Sequence, residues 1–382
     1  MKKIILTAGL LSGIAGMAQA QTNVTIYGVI DLGMNYTNND GGKSVVQLQS
    51  GYAQGSRLGF KGNEDLGDGL SALFQIENGF SADTGKLGQG GLLFGRQALV
   101  GLSSKTTGTI TLGRQYDSVV DYLAPMTANG NWAGYLFSHP LDNDNTDNSF
   151  RINNSVKYAS PTFSGFQFGG LYGFGEVAGD NTKNRTYSLG ASYANGPLSA
   201  GLAYMNLSRV GTTANGSITP TDANFLADKQ KIFGAGINYT IGAATLGFVY
   251  TSTNLTNPTG GNAYINSFAP VLGTLSSLKF RNYEINAKYQ FTPAFYAGAI
   301  YTYTQAKYDT TAGNAKPKWS NLGLMADYNF SKRTDIYLQG VYQKVGGDLT
   351  GSSLDQAYIP GSGGPSGNDK QFAIRAALRH KF

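Results

Sequence analysis

The chain has 382 residues, with 53 Gly, 24 Tyr, 20 Phe, no Cys and only 14% charged residues. This mixture is unusual for a water-soluble domain, and it suits a sheet that is apolar on one face and wet on the other. The lack of cysteine excludes a disulfide scaffold; the formal charge of +6 falls to +4 without Lys2 and Lys3, a surplus too small and dispersed for a nucleic-acid-binding surface.

The first predicted element is a leader. Lys2 and Lys3 supply a basic start, Ile4 to Met17 an apolar middle, and Ala18-Gln19-Ala20 an A-x-A cleavage site. A signal peptide is therefore expected over 1–20, with a mature chain over 21–382 beginning at Gln21. The apolar stretch is too short for a spanning helix, and no later run of about twenty apolar residues exists.

From residue 22 onward the dominant period is two, the spacing of side chains that point alternately to the two faces of a sheet. In the first strand Val24, Ile26, Gly28, Ile30, Leu32, Met34 and Tyr36 share one face, with Thr25, Asp31 and Asn35 on the other. The same alternation predicts strands over 22–36, 56–64, 69–80, 94–104, 107–117, 151–160, 165–175 and 184–195. A second set is predicted over 197–208, 230–241, 243–254, 278–291, 294–306, 318–330, 334–346 and 370–382, sixteen strands in all.

The connections alternate between tight links, such as Gly196, Gly242 and Thr292-Pro293, and longer Gly/Asn/Ser/Thr-rich segments near 37–55, 81–93, 118–150, 176–183, 209–229, 255–277, 307–317 and 347–369. Seven short turns and eight long loops predict a closed all-β fold, a transmembrane 16-stranded antiparallel β-barrel with both termini on the short-turn, periplasmic side. In the last strand Phe372, Ile374, Ala376, Leu378, His380 and Phe382 share one face, against Gln371, Arg375, Arg379 and Lys381. A barrel strand ending on an aromatic carboxy-terminus points to the outer membrane of a Gram-negative cell.

The stretch Ser56-Arg57-Leu58-Gly59-Phe60-Lys61-Gly62-Asn63-Glu64-Asp65-Leu66-Gly67 resembles the S-R-x-G-F-K-G-x-E-D-L-G signature of the general porins of β-proteobacteria, the family of the Neisseria and Burkholderia porins. Phe94-Gly95-Arg96-Gln97-Ala98, Leu112-Gly113-Arg114-Gln115, Asn154-Ser155-Val156-Lys157-Tyr158, Ser160 to Phe166, Ser331-Lys332-Arg333-Thr334 and the final Phe382 extend the likeness over the whole mature chain. The resemblance implies passive diffusion of small hydrophilic solutes and ions, a homotrimer of barrels, and a third loop folded into each lumen. It further implies contact with outer-membrane lipid and lipopolysaccharide, and with the barrel-assembly machinery during biogenesis, Phe382 serving as the assembly signal. No cofactor, metal or catalytic residue is expected.

The working residues of such a channel line its narrowest point, where a low-dielectric wall focuses the field of a few charges. The third long segment, about 117–150, carries Asp117, Asp121, Asp142, Asp144 and Asp147 and no Lys or Arg before Arg151, so folded inward it is expected to present a negative edge. The family places arginines opposite, at positions matching Arg57, Arg96 and Arg151. Parity puts Arg57 with Gly59 and Lys61, and Arg151 with Asn153, Ser155 and Lys157, on the pore face. Arg96 is in phase with Phe94, Ala98 and Val100, and faces the pore only if a bulge or the strand start breaks the pattern. Arg114 could as easily serve a subunit contact. Lys61, Lys157 and Lys288 are candidate pore-lining residues, and the facing charges suggest a weak anion preference.

Tyr158, Phe163, Phe166, Tyr239, Tyr289, Phe291, Tyr328 and Phe330 sit at strand ends and read as an interfacial girdle. A barrel enzyme would need a base, and only His139 and His380 are at hand, without a nucleophile motif. The run Asp142-Asn143-Asp144-Asn145-Thr146-Asp147 lacks the glycine and distal glutamate of an EF-hand. A substrate-specific channel would share the barrel and differ in loops and lumen; it is the alternative left open.

Overall fold

The computed structural model describes residues 23–261, Pro270 and 273–382, so the expected leader lies outside the described residues. The strands are β1 (Asn23–Asp40), β2 (Lys43–Ser50 continuing as Arg57–Gly67), β3 (Leu70–Gly79), β4 (Gln97–Ser104), β5 (Gly108–Gln115), β6 (Ile152–Ala159), β7 (Phe166–Gly173) and β8 (Arg185–Asn195). They continue as β9 (Leu198–Ser208), β10 (Phe225–Ile241), β11 (Ala244–Gly261), β12 (Leu275–Thr292), β13 (Phe295–Thr310), β14 (Gly313–Ala315 and Pro317–Asn329), β15 (Thr334–Gly347) and β16 (Lys370–Lys381). Each pairs antiparallel with the next, and β16 returns to β1 from Val29 opposite Lys381 to Thr37 opposite Ala373. Sixteen strands thus close a barrel with no free edge, the one sheet that lipid tolerates. The seam is finished by Phe382, whose N–H donates to the Gly28 carbonyl at 3.1 Å while the Gly28 N–H donates to the Phe382 carbonyl at 3.0 Å.

Alternation decides which face each side chain takes. Along β1, Val24, Ile26, Met34 and Tyr36 are exposed on the outside, and Asp31, Asn35 and Thr37 are buried within. At the turn end the outward aromatics pack edge to face, Tyr289 on Phe291 at 4.7 Å and Tyr328 on Phe330 at 5.4 Å. Gly196 and Gly242 hold φ of 56° and 59° in two of the turns, where a side chain would be strained.

Two expected long loops are much shorter. Where 37–55 was expected to be loop, β1 and β2 run on to a tip at Gly41-Gly42, and β2 is interrupted at 51–56; where 307–317 was expected, the tip is only Thr311-Ala312. The physical reason is that above the membrane both strand faces meet water. The apolar-polar alternation then fades while the hydrogen-bonded ladder continues.

The third loop, residues 116–151, consists of short π- and 3-10 turns lying inside the barrel. Its Val119, Leu123 and Met126 join Ile232 and Val249 of the wall in one apolar cluster, and Trp132, Leu136 and Phe137 join Ile300 and Met325 in another. The wall beneath is cut back by glycines. A Cβ on Gly201 would stand 2.0 Å from the Tyr122 carbonyl oxygen, and on Gly234, Gly298 and Gly323 within 2.5 Å of Leu123, Trp132 and Phe137. These inward-phase glycines form a groove that lets the loop lie flat against the wall.

Candidate pore constriction

Loop three, the interruption of β2 and the inward faces of β2, β12 and β16 bound an open cavity of about 590 Å³. Its cationic lining consists of Arg57, Arg96, Arg151, Lys288, Arg379 and Lys381, and its one carboxylate is Asp147.

Arg57 opens the second segment of β2, and its Nε donates to the Gly55 carbonyl at 2.8 Å. Arg96 lies just before β4; its N–H donates to the Glu77 carbonyl at 3.2 Å, although Gln97 is the register partner of Glu77. Two residues facing one make a bulge, and this swings Arg96 inward against the parity of Ala98. Its Nε then meets Glu77 Oε1 at 2.7 Å and its Nη2 donates to the Tyr116 hydroxyl at 2.7 Å. Arg151 closes loop three, stacked 5.4 Å from the Tyr116 ring centroid, with Nη2 donating to Asn148 Oδ1 at 2.5 Å. Burial and the neighbouring Arg96 hold its guanidinium down at about 10, with Tyr116 opposing, so it stays charged at neutral pH. Among the described residues, neither Arg57 nor Arg151 forms an ion pair.

The loop carboxylates are placed differently from the expected negative edge. Asp117 is fully buried; its Oδ1 accepts from the N–H of Val119 at 2.7 Å and its Oδ2 from Asn145 at 2.8 Å. It therefore caps the first turn of the loop and does not line the cavity, and burial raises it to about 6. Asp142 is also buried, accepting from Ser149 Oγ at 2.6 Å and the Asp147 N–H at 3.1 Å. Asp144 accepts from His139 Nδ1 at 2.6 Å and Thr251 Oγ1 at 2.5 Å, while His139 Nε2 reaches Glu284 of β12 at 3.0 Å. Burial disfavours the His139 imidazolium, but Asp144 and Glu284 more than offset it and raise the ring to about 10. These groups latch loop three to the wall. The Asp142 and Asp144 carboxylates are committed to such bonds, and among the described residues no group of three or more acid or histidine side chains is placed to hold a metal ion.

Asp121 is paired with Lys157 at 2.8 Å. Lys61 lies 5.3 Å from the Tyr27 ring, and Lys288 lies 5.5 Å from that of Tyr296. Arg114 makes a buried pair with Asp222, in the connection between β9 and β10, at 2.8 Å. Asp147, expected on the negative edge, does line the cavity, whereas Glu77, Tyr116, Arg379 and Lys381 were not expected at the constriction. Arg379 and Lys381 fall on the inward phase of β16, so parity alone could have found them; Arg379 is paired with Asp335 at 3.0 Å.

The family described as Gram-negative porin matches residues 6–348. An outer membrane porin protein of Bordetella pertussis is 33% identical, with all of both chains covered. Outer membrane porin protein 32 of Delftia acidovorans is 30% identical, again over the full length of both. Among solved structures, an anion-selective porin from Comamonas acidovorans shares 25% identity at a TM-score of 0.69, covering 95% of this chain and 100% of that one.

Proposed function

This chain belongs to the Gram-negative porin family and is an outer-membrane general diffusion porin, and from that premise we propose that its channel prefers anions, with Arg57, Arg96 and Arg151 at the narrowest point. The observation that carries the reading is the imbalance of the lining, six cationic side chains against Asp147 alone. A carboxylate paired within the wall cancels little field in the lumen, whereas an arginine without a carboxylate partner projects its field across a narrow gap between low-dielectric walls. The likeness to a solved porin described as anion-selective supports it.

Dipolar solutes cross by aligning with the transverse field, and no catalytic step is involved. Single-channel reversal potentials of Arg57→Ala and Arg151→Ala test the assignment. Ion preference should drop in both, and an unchanged preference in both sinks it. Sugars of increasing size should block without saturation; saturable block by one solute would favour a substrate-specific channel.

Strands β4 to β7 have 8 residues each, against 18 in β11 and β12, near the lower limit for a spanning strand. Val100, Leu102, Ile110 and Leu112 are exposed there, an apolar face that two more copies would cover in a homotrimer; cross-linking in detergent should stop at three copies. Residues 1–20 act as a cleaved signal peptide, so sequencing of the exported protein should begin at Gln21. Phe382 closes the barrel seam and serves as the assembly signal, and its deletion should lower the yield of heat-modifiable barrel.

A further inference from the structure

Tyr116 opens loop three directly after β5, and it touches two of the three arginines of the constriction. Its hydroxyl oxygen accepts from Arg96 Nη2 at 2.7 Å, and its ring centroid lies 5.4 Å from the guanidinium carbon of Arg151. Its backbone is tied as well, because Lys157 on β6 donates from Nζ to the Tyr116 carbonyl at 3.1 Å while pairing with Asp121 at 2.8 Å. The ring is thus held in the cluster by contacts that do not involve its own proton.

That proton has no acceptor. Two tyrosines flank the pair of Glu77 with Arg96, and they differ in this respect. Tyr27 on β1 donates to Glu77 Oε2 at 2.9 Å and accepts from Gln75 Nε2 at 2.7 Å, using its hydroxyl in both directions as a phenol ordinarily does. The other oxygen of Glu77 is taken by Arg96 Nε at 2.7 Å. Among the described residues nothing accepts from the Tyr116 hydroxyl, while a guanidinium donates into it. A donor without an acceptor favours the phenolate over the phenol.

The surrounding charges act in the same direction. Burial disfavours the phenolate, but Arg96 and Arg151 outweigh it, with Glu77 of β3 opposing and Arg57 of β2 adding to them, so the hydroxyl is held below the ordinary 10. The other charges nearby are engaged elsewhere: Asp117 with the Val119 N–H, Asp121 with Lys157, and Arg114 with Asp222, while Asp147 lies within reach of Arg151 and Arg96.

We propose that Tyr116 is a specificity-determining residue of the channel: the proton on its hydroxyl decides whether the arginine cluster acts on passing ions with its full charge or with one charge cancelled. This role rests on the anion preference proposed above. As pH rises the proton leaves to the water of the lumen, and the phenolate, at hydrogen-bond distance from Arg96 and under Arg151, removes one unit of positive charge where the field is most focused. The bond from Lys157 to the Tyr116 carbonyl is untouched, so the charge changes while the start of loop three stays in place.

The test is the reversal potential of the folded mature chain in a planar bilayer under a potassium chloride gradient, followed from neutral pH to just above 10 in the wild type, Tyr116→Phe and Tyr27→Phe. The chloride-over-potassium permeability ratio of the wild type should fall about twofold in a single step centred below 10. Tyr116→Phe keeps the ring under Arg151 and lacks the oxygen, so it should lose that step, and Tyr27→Phe should keep it. Other groups that release protons in this range do so in all three channels, and the difference isolates Tyr116. Arg151 is held down at about 10 with Tyr116 raising it, so a step that belonged to Arg151 would move to lower pH in Tyr116→Phe instead of vanishing. Near-ultraviolet phenolate absorbance, wild type minus Tyr116→Phe, should show one phenol ionising below 10. Replacement of tyrosine by 3-fluorotyrosine, a stronger acid, should move the conductance step to lower pH, a reading that holds even if Tyr116→Phe does not fold. A step that survives in Tyr116→Phe, or one that 3-fluorotyrosine leaves where it was, would overturn the proposal. A wild type without ion preference at neutral pH would sink the reading of the constriction on which the role rests, and the absorbance difference separates that failure from a Tyr116 that does not ionise.

Discussion

On one side of the lumen Arg57 and Arg151 reach the cavity with no carboxylate partner among the described residues, held only by a backbone carbonyl, an amide and the Tyr116 ring. On the side where loop three meets β11 and β12, His139, Asp144 and Glu284 are wholly shielded from solvent and bonded to one another. The same chemical types thus do different jobs. A charge that has been desolvated must be paired, and once paired its far field is cancelled, so it can fix a loop but cannot steer a solute. Arg151 is buried too, which holds its guanidinium down at about 10, but with no carboxylate beside it its field is not cancelled. The comparison predicts that substitutions on the latched side change stability and spare ion preference, and that substitutions on the arginine side do the reverse.

The largest effect is expected from His139→Ala, which leaves Asp144 and Glu284 buried without the imidazolium between them. Loss of one partner of a buried pair costs about 3–5 kcal/mol, to be read as a lower thermal midpoint and noisier single-channel current, with the sign of the reversal potential retained. Next is Gly201→Ala, where the new methyl meets a backbone oxygen of loop three at 2.0 Å. Overpacking of this kind costs about 1–3 kcal/mol; a normal melting temperature and conductance would mean that the loop does not lie in the glycine groove.

A pH series sharpens the contrast. His139 is raised to about 10 from its ordinary 6.5, so its contribution to stability is complete below about 6.5 and is lost as pH rises through 10. Asp144 is lowered to about 2 from 3.8, burial being overcome by His139, and its contribution is present above 3.8 and lost as pH falls through 2. Between pH 7 and pH 10.5 current noise should therefore rise in the wild type and stay flat in His139→Gln. The smallest effect is expected from Asp121→Asn. Its pair with Lys157 is partly exposed and contributes at most about 1 kcal/mol, so stability should hardly move while the freed Lys157 slightly increases anion preference.

The barrel was legible in the sequence because lipid on one face and water on the other impose a period of two on every spanning strand, which shows most clearly from Ile30 to Tyr36 in β1 and from Gln371 to Arg379 in β16. The strand ends were less legible, since Asn38, Asp40 and Lys43 lie above the membrane, where polar residues suit both faces. Within the site, parity oriented Arg57, Arg379 and Lys381, but a period of two does not tell which inward residues of a strand stand at the height of the constriction. Arg96 needed the bulge against Glu77 to turn inward. The acids of loop three were misjudged for a different reason. A loop has no period, and the partners that draw Asp144 into the wall, Thr251 and Asn282, come from strands more than a hundred residues away.

The central claim is that the unpaired arginines set the ion preference, and the most direct measurement is the reversal potential of the wild-type channel in a planar bilayer under a potassium chloride gradient at neutral pH. The account predicts a potential of the sign given by chloride flux, shrinking toward zero in Arg57→Ala/Arg151→Ala. A wild-type potential of zero, or of the sign given by potassium flux, would contradict it.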